Sequence, residues 1–299
     1  MSKKHPLVSI AIITYNQKEF LRECIDSILI QDYSNFEIVV ADDCSTDGSQ
    51  ELLNRYEKKY PDKFVLALAK KNSGITKNSN KAHFACKGKY VFWMGGDDLM
   101  LPNKIKNQVL LMESNPECTI SYHNLDVFDS NTGETLYYMN NKKNSFQGAF
   151  EAVLPKGVFN GACSTVVRRA KSPKNGFDER LPIVSDWLYW MQSLANGGEI
   201  IYIDEVLGKY RRHDKNVTKD FKHLNGHKDV LSACSILLLD FPKLSNKILF
   251  RYSETLRSLR VYDKKNYGYY LIASFRVNFN LKSLILLFFF AISFGKVRK

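Results

Sequence analysis

The first hundred residues alternate between short apolar runs and amphipathic stretches. Residues 7–13 (LVSIAII) form a short apolar run, the pattern of a buried strand, and Thr14-Tyr15-Asn16 ends it. Across residues 18–30 the apolar positions are Phe20, Leu21, Cys24, Ile25, Ile28 and Leu29, which is helical spacing. Residues 36–41 predict a second strand closed by Asp42-Asp43, and Ser45 or Thr46 is placed to cap a helix over 47–60. A third strand is expected at 64–69, a helix at 77–86, and a fourth strand at 90–94, ending at Gly95. Strands that alternate with helices imply right-handed crossovers and a mainly parallel, twisted α/β sheet.

In such sheets ligands bind beyond the carboxyl ends of the strands. The polar residues gather there: Thr14-Tyr15-Asn16, Asp42-Asp43, Asn72-Ser73-Gly74 and Asp97-Asp98 each follow a predicted strand. The second half is less regular. Strands are expected at 118–128, 163–168 and 200–203 and a helix at 187–195, and from about Asn225 the pattern is helical. No repeat or low-complexity linker interrupts the chain. It therefore reads as one domain over 1–222, with halves at about 1–100 and 101–222, followed by a helical extension over 223–299.

Residues 284–294 (LILLFFFAISF) are an apolar run flanked by Lys282 and by Lys296, Arg298 and Lys299. A membrane span needs roughly 20 apolar residues, so this run is too short to cross. It fits a helix lying in a membrane interface with its basic flanks on anionic headgroups, or else a core helix or an oligomer contact. Charge sharpens the point. The net charge is +12, yet residues 241–299 carry twelve Lys and Arg against Glu254 and Asp263 alone, leaving the first 240 near neutral. A basic tail on a neutral body implies an anionic partner for the tail, or simply a solvated basic surface, and argues against nucleic acid.

With 44% hydrophobic and 25% charged residues, disorder is excluded as a general description. The six cysteines (Cys24, Cys44, Cys86, Cys118, Cys163 and Cys234) form no C-x-x-C pair, which fits reduced, structural thiols of a cytosolic protein. The start of the chain is basic, but the apolar run after it is too short for a secretory leader. The expectation is a cytoplasmic protein, peripheral on the inner face of the cell membrane.

Residues 8–49 (VSIAIITYNQKEFLRECIDSILIQDYSNFEIVVADDCSTDGS) resemble the opening of family 2 glycosyltransferases of the bacterial surface-polysaccharide type, which have the GT-A fold. The likeness continues through GKYVFWMGGDD at 88–98 and recurs at Ser185-Asp186-Trp187 and at YRRHDKN, 210–216, so that it covers roughly 8–218. The resemblance implies a Rossmann-like sheet flanked by helices, with the nucleotide-sugar half about 1–100 and the acceptor half about 101–222. It also implies inverting transfer of a hexose or N-acetylhexosamine from a UDP-sugar to an acceptor hydroxyl. The acceptor it points to is a lipid-linked oligosaccharide of O-antigen, capsule or lipooligosaccharide synthesis.

Residue by residue, it places Thr14, Tyr15 and Asn16 at the nucleotide, with Tyr15 stacked on the base. Asp42 or Asp43 would accept a hydrogen bond from the uracil ring or the ribose; an ionised carboxylate only accepts, so it selects a ring that offers a donor. The same pair is also placed to cap the following helix. Gly96, Asp97 and Asp98 match the acidic motif that holds Mn²⁺ or Mg²⁺ against the diphosphate, and His213 is a further candidate ligand. Gly95 stands where the family usually has the motif's first aspartate. Lys77 is a candidate diphosphate contact, Asn80 and Arg211 are candidate nucleotide-sugar contacts, and His213 is placed to touch either the metal or the β-phosphate, with Ser79 replacing the usual arginine beside Asn80. Asp186 matches the general base, with Ser185 in place of the usual glutamate; Ser185-Asp186 is equally the pattern of a helix start. Trp187 and Trp190 are placed either on the acceptor side or in the core.

Two other classes compete. A nucleotidyltransferase would open with a glycine-rich phosphate loop, and none follows Ile13. A non-catalytic nucleotide-sugar-binding protein would show Asp186 buried or turned away from the metal. A dinucleotide oxidoreductase lacks its G-x-G-x-x-G, and a processive polysaccharide synthase lacks its Gln-x-x-Arg-Trp.

Overall fold

The computed structural model describes residues 5–157, 160–214, 216 and 224–293. The expectations that fall on 1–4, on 217–218 and on Phe294, Lys296, Arg298 and Lys299 lie outside the described residues. The first half follows the predicted alternation: β1 (Val8–Thr14), α1 (Lys18–Leu29), β2 (Phe36–Asp42), α2 (Ser49–Lys59), β3 (Phe64–Leu68), α3 (Ile75–Ala85) and β4 (Tyr90–Gly95). These strands are parallel in the order β3-β2-β1-β4. Their register is level at the carboxyl end, where Thr14 pairs with Asp42, Asp42 with Leu68 and Ile13 with Gly95. That shared row is what brings the polar residues of four loops onto one edge.

Period-two alternation divides the core. On β1, Val8, Ile10 and Ile12 face α1 and α2, meeting Leu21, Ile25 and Leu53, whereas Ala11 faces the opposite layer. That layer holds Trp93, Trp187 and Trp190, so both later tryptophans pack in the core.

The second half differs from the expectation. It contains β5 (Leu99–Met100), α4 (Lys104–Ser114), β6 (Cys118–Asp129), β7 (Thr135–Tyr138), α5 (Phe150–Val153), β8 (Val166–Arg168), α6 (Ser185–Ala195) and β9 (Glu199–Arg212). The sheet continues from β4 as β8-β6-β9-β5, with β8 antiparallel to both neighbours and β9 parallel to β6. The strand expected at 163–168 is half as long, because Ala162–Ser164 is a 3₁₀ turn. The short strand expected at 200–203 is fourteen residues long. Nor does Ser45 or Thr46 cap α2; the cap position is Gly48, and Asp47 takes the N–H and hydroxyl of Ser49.

After β9 come α7 (Leu224–Asp240), α8 (Ser245–Leu259), α9 (Tyr267–Val277) and α10 (Leu281–Ile292). The extension is anchored rather than detached: Val230, Ala233, Cys234 and Leu237 of α7 and Ile248 of α8 join the core around Trp187. Hydroxyls stitch the last helices together, Ser253 to Ser274 at 3.0 Å and Ser274 to Ser283 at 2.8 Å. That polar seam turns the rest of α10 outward, leaving Leu281, Leu284, Ile285, Phe288, Phe289 and Ile292 exposed at helical spacing. No helix among the described residues is long and apolar enough to cross a membrane.

Candidate active site

The acidic turn leaves β4 under tight constraint. The Gly96 N–H donates to Ile13 O at 2.9 Å, and a Cβ on Gly96 would lie 2.8 Å from Thr14 Cβ, so only glycine lets this turn lean on β1. A Cβ on Gly95 would lie 2.6 Å from Asp97 Oδ1. Asp97 therefore folds back over the place where a first aspartate would carry its side chain.

The two acids then diverge. Asp98 is buried and accepts from the Arg211 N–H at 3.0 Å and from the Cys163 thiol. Burial first, and the Asp97 carboxylate second, push its proton affinity well above the ordinary range. Asp98 is thus spent on holding the turn, and it does not point outward as the metal reading of the sequence has it. Asp97 keeps partial exposure, and its Oδ2 receives His213 Nε2 at 2.9 Å and Asn216 Nδ2 at 3.4 Å.

These partners arrive from the end of β9. Arg211 is buried; its Nε donates to Asp97 O at 2.7 Å, its Nη2 pairs with Glu23, and its guanidinium lies between the Phe20 and Phe128 rings at 4.5 and 4.9 Å. Arg211 is a brace for the acidic turn, with its Nε and Nη2 turned to Asp97 O and Glu23. Below the turn, the fully buried Lys104 donates to Cys163 O at 2.8 Å and to His123 Nε2 at 2.7 Å, and burial pushes its ammonium down to about 7. Sequence reasoning missed Phe20, Glu23, Lys104, His123, Cys163 and the role of Asn216; only Asn216 carried a signal, being part of YRRHDKN.

At the other strand ends, Tyr15 is exposed while Thr14 is buried beneath it. Asn16, in a left-handed conformation, clamps two loops by donating its N–H to Ser45 Oγ at 2.8 Å and accepting from the Thr46 N–H at 2.8 Å. Asp42 is sealed in its own turn by Ser45 and Gln50. Asp43 reaches across to the loop after β3, accepting from the N–H groups of Ser73 and Gly74, the Ser73 hydroxyl and Lys81. Desolvation opposes its ionisation, but these donors outweigh it and hold the carboxyl below the usual range.

Lys77 and Asn80 sit on α3. The Asn80 amide is consumed by Phe177, through N–H to Oδ1 at 2.7 Å and Nδ2 to O at 3.0 Å. Lys77 stands 3.8 Å from Glu179 beside a surface crevice of about 430 Å³ shared with Lys70, Lys71 and Lys81.

Asp186 opens α6. The Ser185 hydroxyl is not a cap; it meets Thr76 Oγ1 at 3.2 Å, tying the start of α6 to the start of α3 and so to the Asp43 loop. Asp186 accepts from the Trp187 N–H at 2.6 Å, and desolvation raises its carboxyl to about 6. It keeps some exposure, so a carboxyl that titrates near neutrality stands at the start of α6.

Among the described residues, no three His, Cys, Asp or Glu side chains are grouped to hold a metal by themselves. The carboxylate still fits a magnesium- or manganese-type ion. Such ions take one or two carboxylates, keep water and complete their shell with substrate phosphate, and Asp97 offers one carboxylate, with His213 Nε2 bonded to its Oδ2.

Residues 9–172 match the family described as Glycosyl transferase family 2. A Rickettsia bellii protein named as an uncharacterized glycosyltransferase is 32% identical over 238 residues, which is 78% of this chain and 33% of that protein. A similarly named Rickettsia typhi protein is 31% identical over 71% of this chain and 66% of its own length. The chain spans about a third of the length of the first curated relatives it matches. Among solved structures, S. aureus TarS residues 1–349 in complex with UDP-GlcNAc superposes with a TM-score of 0.70 at 16% identity, covering 90% of this chain and 81% of that one. The mannosyltransferase PcManGT from Pyrobaculum calidifontis, in complex with GDP-Man and Mn²⁺, gives 0.64 at 17% identity, over 97% and 81%. These likenesses are likenesses of fold.

Proposed function

Since the chain belongs to glycosyltransferase family 2 and has the GT-A fold, we propose that it is a metal-dependent, inverting glycosyltransferase using a UDP-sugar. The observation that carries this reading is the meeting, on one sheet edge, of exposed Tyr15, the Asp43 loop, the Asp97–His213 pair and the start of α6 with Asp186. Tyr15 stacks on the base. Asp43 accepts from the ring N–H, which displaces the Ser73 hydroxyl. Asp97 and His213 hold Mn²⁺ or Mg²⁺, which when bound supplies positive charge to the departing diphosphate. Asp186 takes the proton of the acceptor hydroxyl as its oxygen attacks the anomeric carbon; a pKa near 6 leaves it ionised at neutral pH yet basic enough to accept.

The testing experiment is turnover of UDP-Glc, UDP-Gal, UDP-GlcNAc and UDP-GalNAc with Mn²⁺ or Mg²⁺, with and without EDTA. Metal-dependent release of UDP from one donor is expected, and no metal-dependent turnover or binding of any of them refutes the reading.

The acceptor proposed is lipid-linked oligosaccharide at a membrane surface, in cell-surface polysaccharide synthesis. The outward stripe of α10 supports it. Half-burying one such side chain contributes roughly 1 kcal/mol, so six contribute on the order of 5 kcal/mol, and Lys282 and the basic end of the chain add attraction to anionic lipid. Deleting residues 284–299 is expected to abolish sedimentation with vesicles containing phosphatidylglycerol while leaving the fold intact. A full chain that fails to sediment with those vesicles sinks the membrane assignment.

A further inference from the structure

The loop after β3 and one face of α3 bring four lysines to a single opening. An extended strand would send the neighbours Lys70 and Lys71 to opposite faces, but the chain bends there and both line the surface crevice of about 430 Å³. From α3 come Lys77, Lys81 and Phe84, at the i, i+4 and i+7 spacing of one helix face. Phe84 is 64% exposed and gives the crevice an apolar wall. Acids do not balance the ammonium groups. Lys77 stands 3.8 Å from Glu179, the carboxylate that lines the crevice, and both stay half exposed. Lys81 is 3.4 Å from Asp43, which already accepts from Ser73 and Gly74. Lys70 and Lys71 have neither an ion pair nor a hydrogen bond among the described residues. A crevice of about 340 Å³ beside Tyr33 is made differently, since its lysine, Lys106, is paired with Asp32 at 2.8 Å. Like charges around one opening repel one another, and an anion seated between them replaces that repulsion with attraction. Pockets for small ligands run from about 300 to 1,000 Å³ and combine apolar walls with a few convergent polar groups, and this crevice has both features.

We propose that the crevice binds a phosphate group carried by a ligand other than the sugar donor. The separation rests on the placing of the donor's diphosphate at Asp97. In the strand order β3-β2-β1-β4, Asp97 follows β4 while the crevice lies beside β3, three strand spacings or roughly 14 Å away. The base site at Asp43 stands between them, and a uracil has no anionic group to send outward. The remaining wall leads to the acceptor side: Glu179 belongs to the segment that runs into α6, and Thr76 of α3 donates to Leu181 O in that segment at 3.0 Å. The ligand class is a sugar phosphate, with its apolar face on Phe84, or free phosphate; the two share the anion that clustered ammonium groups recognise.

The test is titration calorimetry of the whole chain in EDTA with inorganic phosphate, glucose 1-phosphate and glucose, at about 0.15 M salt, where merely exposed charges are largely screened. Saturable binding is expected for both phosphates and none for glucose. Lys70→Gln with Lys71→Gln should weaken it by about tenfold, and Lys70→Arg with Lys71→Arg, which keeps the charge, should retain it. Both pairs should melt like the wild type, because Lys70 and Lys71 are exposed. Mn²⁺-dependent UDP binding should be unchanged in the Gln pair, and Asp97→Ala should keep the phosphate response. Tighter binding of glucose 1-phosphate than of phosphate assigns the site to a sugar phosphate, and equal or weaker binding assigns it to free phosphate; the proposal stands in either case. Absence of saturable binding at this salt, equal binding by wild type and the Gln pair, or loss of the phosphate response in Asp97→Ala each overturns it. Donor turnover without a phosphate response that depends on Lys70 and Lys71 sinks this site alone, whereas that response without donor turnover sinks the transferase reading alone.

Discussion

Asp97→Ala is expected to lose transfer and metal-dependent donor binding together. Of the two acids in the turn, Asp98 is turned inward to Arg211 N and Cys163, so Asp97 supplies the carboxylate that remains partly exposed. Charge stabilisation of the leaving diphosphate is worth several kcal/mol, and each 1.4 kcal/mol is tenfold in rate, so the loss should reach about 10³-fold. Calorimetry with UDP and Mn²⁺ separates this from misfolding: the variant should melt normally and show no Mn²⁺-dependent heat. Unchanged Mn²⁺-dependent UDP binding in Asp97→Ala would remove Asp97 from the metal site. Asp98→Ala is not an equivalent probe, because it leaves the Arg211 N–H and the Cys163 thiol without their buried acceptor.

Asp186→Asn should separate binding from chemistry. Donor affinity stays within about twofold, while kcat falls by about 10² to 10⁴, the usual contribution of a positioned general base. The wild-type rate should fall tenfold per pH unit below about 6, where the carboxyl takes up its proton, and level off above it. The stability effect has the opposite sign. The folded pKa is raised from 3.8, so the folded state binds this proton more tightly and is penalised once the pH rises through 6. A shift of that size corresponds to about 2–3 kcal/mol above pH 7, and the neutral Asn variant should melt at or above the wild type there. Activity within a few-fold of wild type, or an acid limb that persists in the variant, would rule Asp186 out as the base.

The first half was legible because its strands are buried on both faces. Runs such as those at β1 and β2 announce themselves as continuous apolar segments, and level register then places Thr14, Asp43 and Asp97 at one edge without further information. The second half was not, because its mixed sheet is made by pairings far apart in sequence. β9 runs on to Arg212 because it follows β6 to Asp129, and no local pattern in 204–212 records that. Pairings across the chain were hidden for a related reason. Arg211 and Asn80 carry the residue types of ligand contacts, and the sequence does not record that neighbours from other elements take Arg211 Nε and Nη2 and the Asn80 amide. Lys104 and His123 went unseen because a buried lysine has no periodic signature.

The bracing of the acidic turn has a consequence for the order in which the protein is made. Asp98 and Asp97 are held by Arg211, 113 and 114 positions later, and Arg211 is held in turn by Glu23, 188 positions earlier. During synthesis the parallel half can close its own core while its acidic turn still has nothing to hold it. The last strand then has to thread between β6 and β5 before that turn acquires its shape. Contacts of such separation form late, since their loop-closure entropy must be overcome before any of them stabilises the chain. A nascent or truncated form ending before β9 would therefore be compact and sheet-forming but with its acidic turn unshaped, so that the arrangement around Asp97 appears only once β9 has been translated.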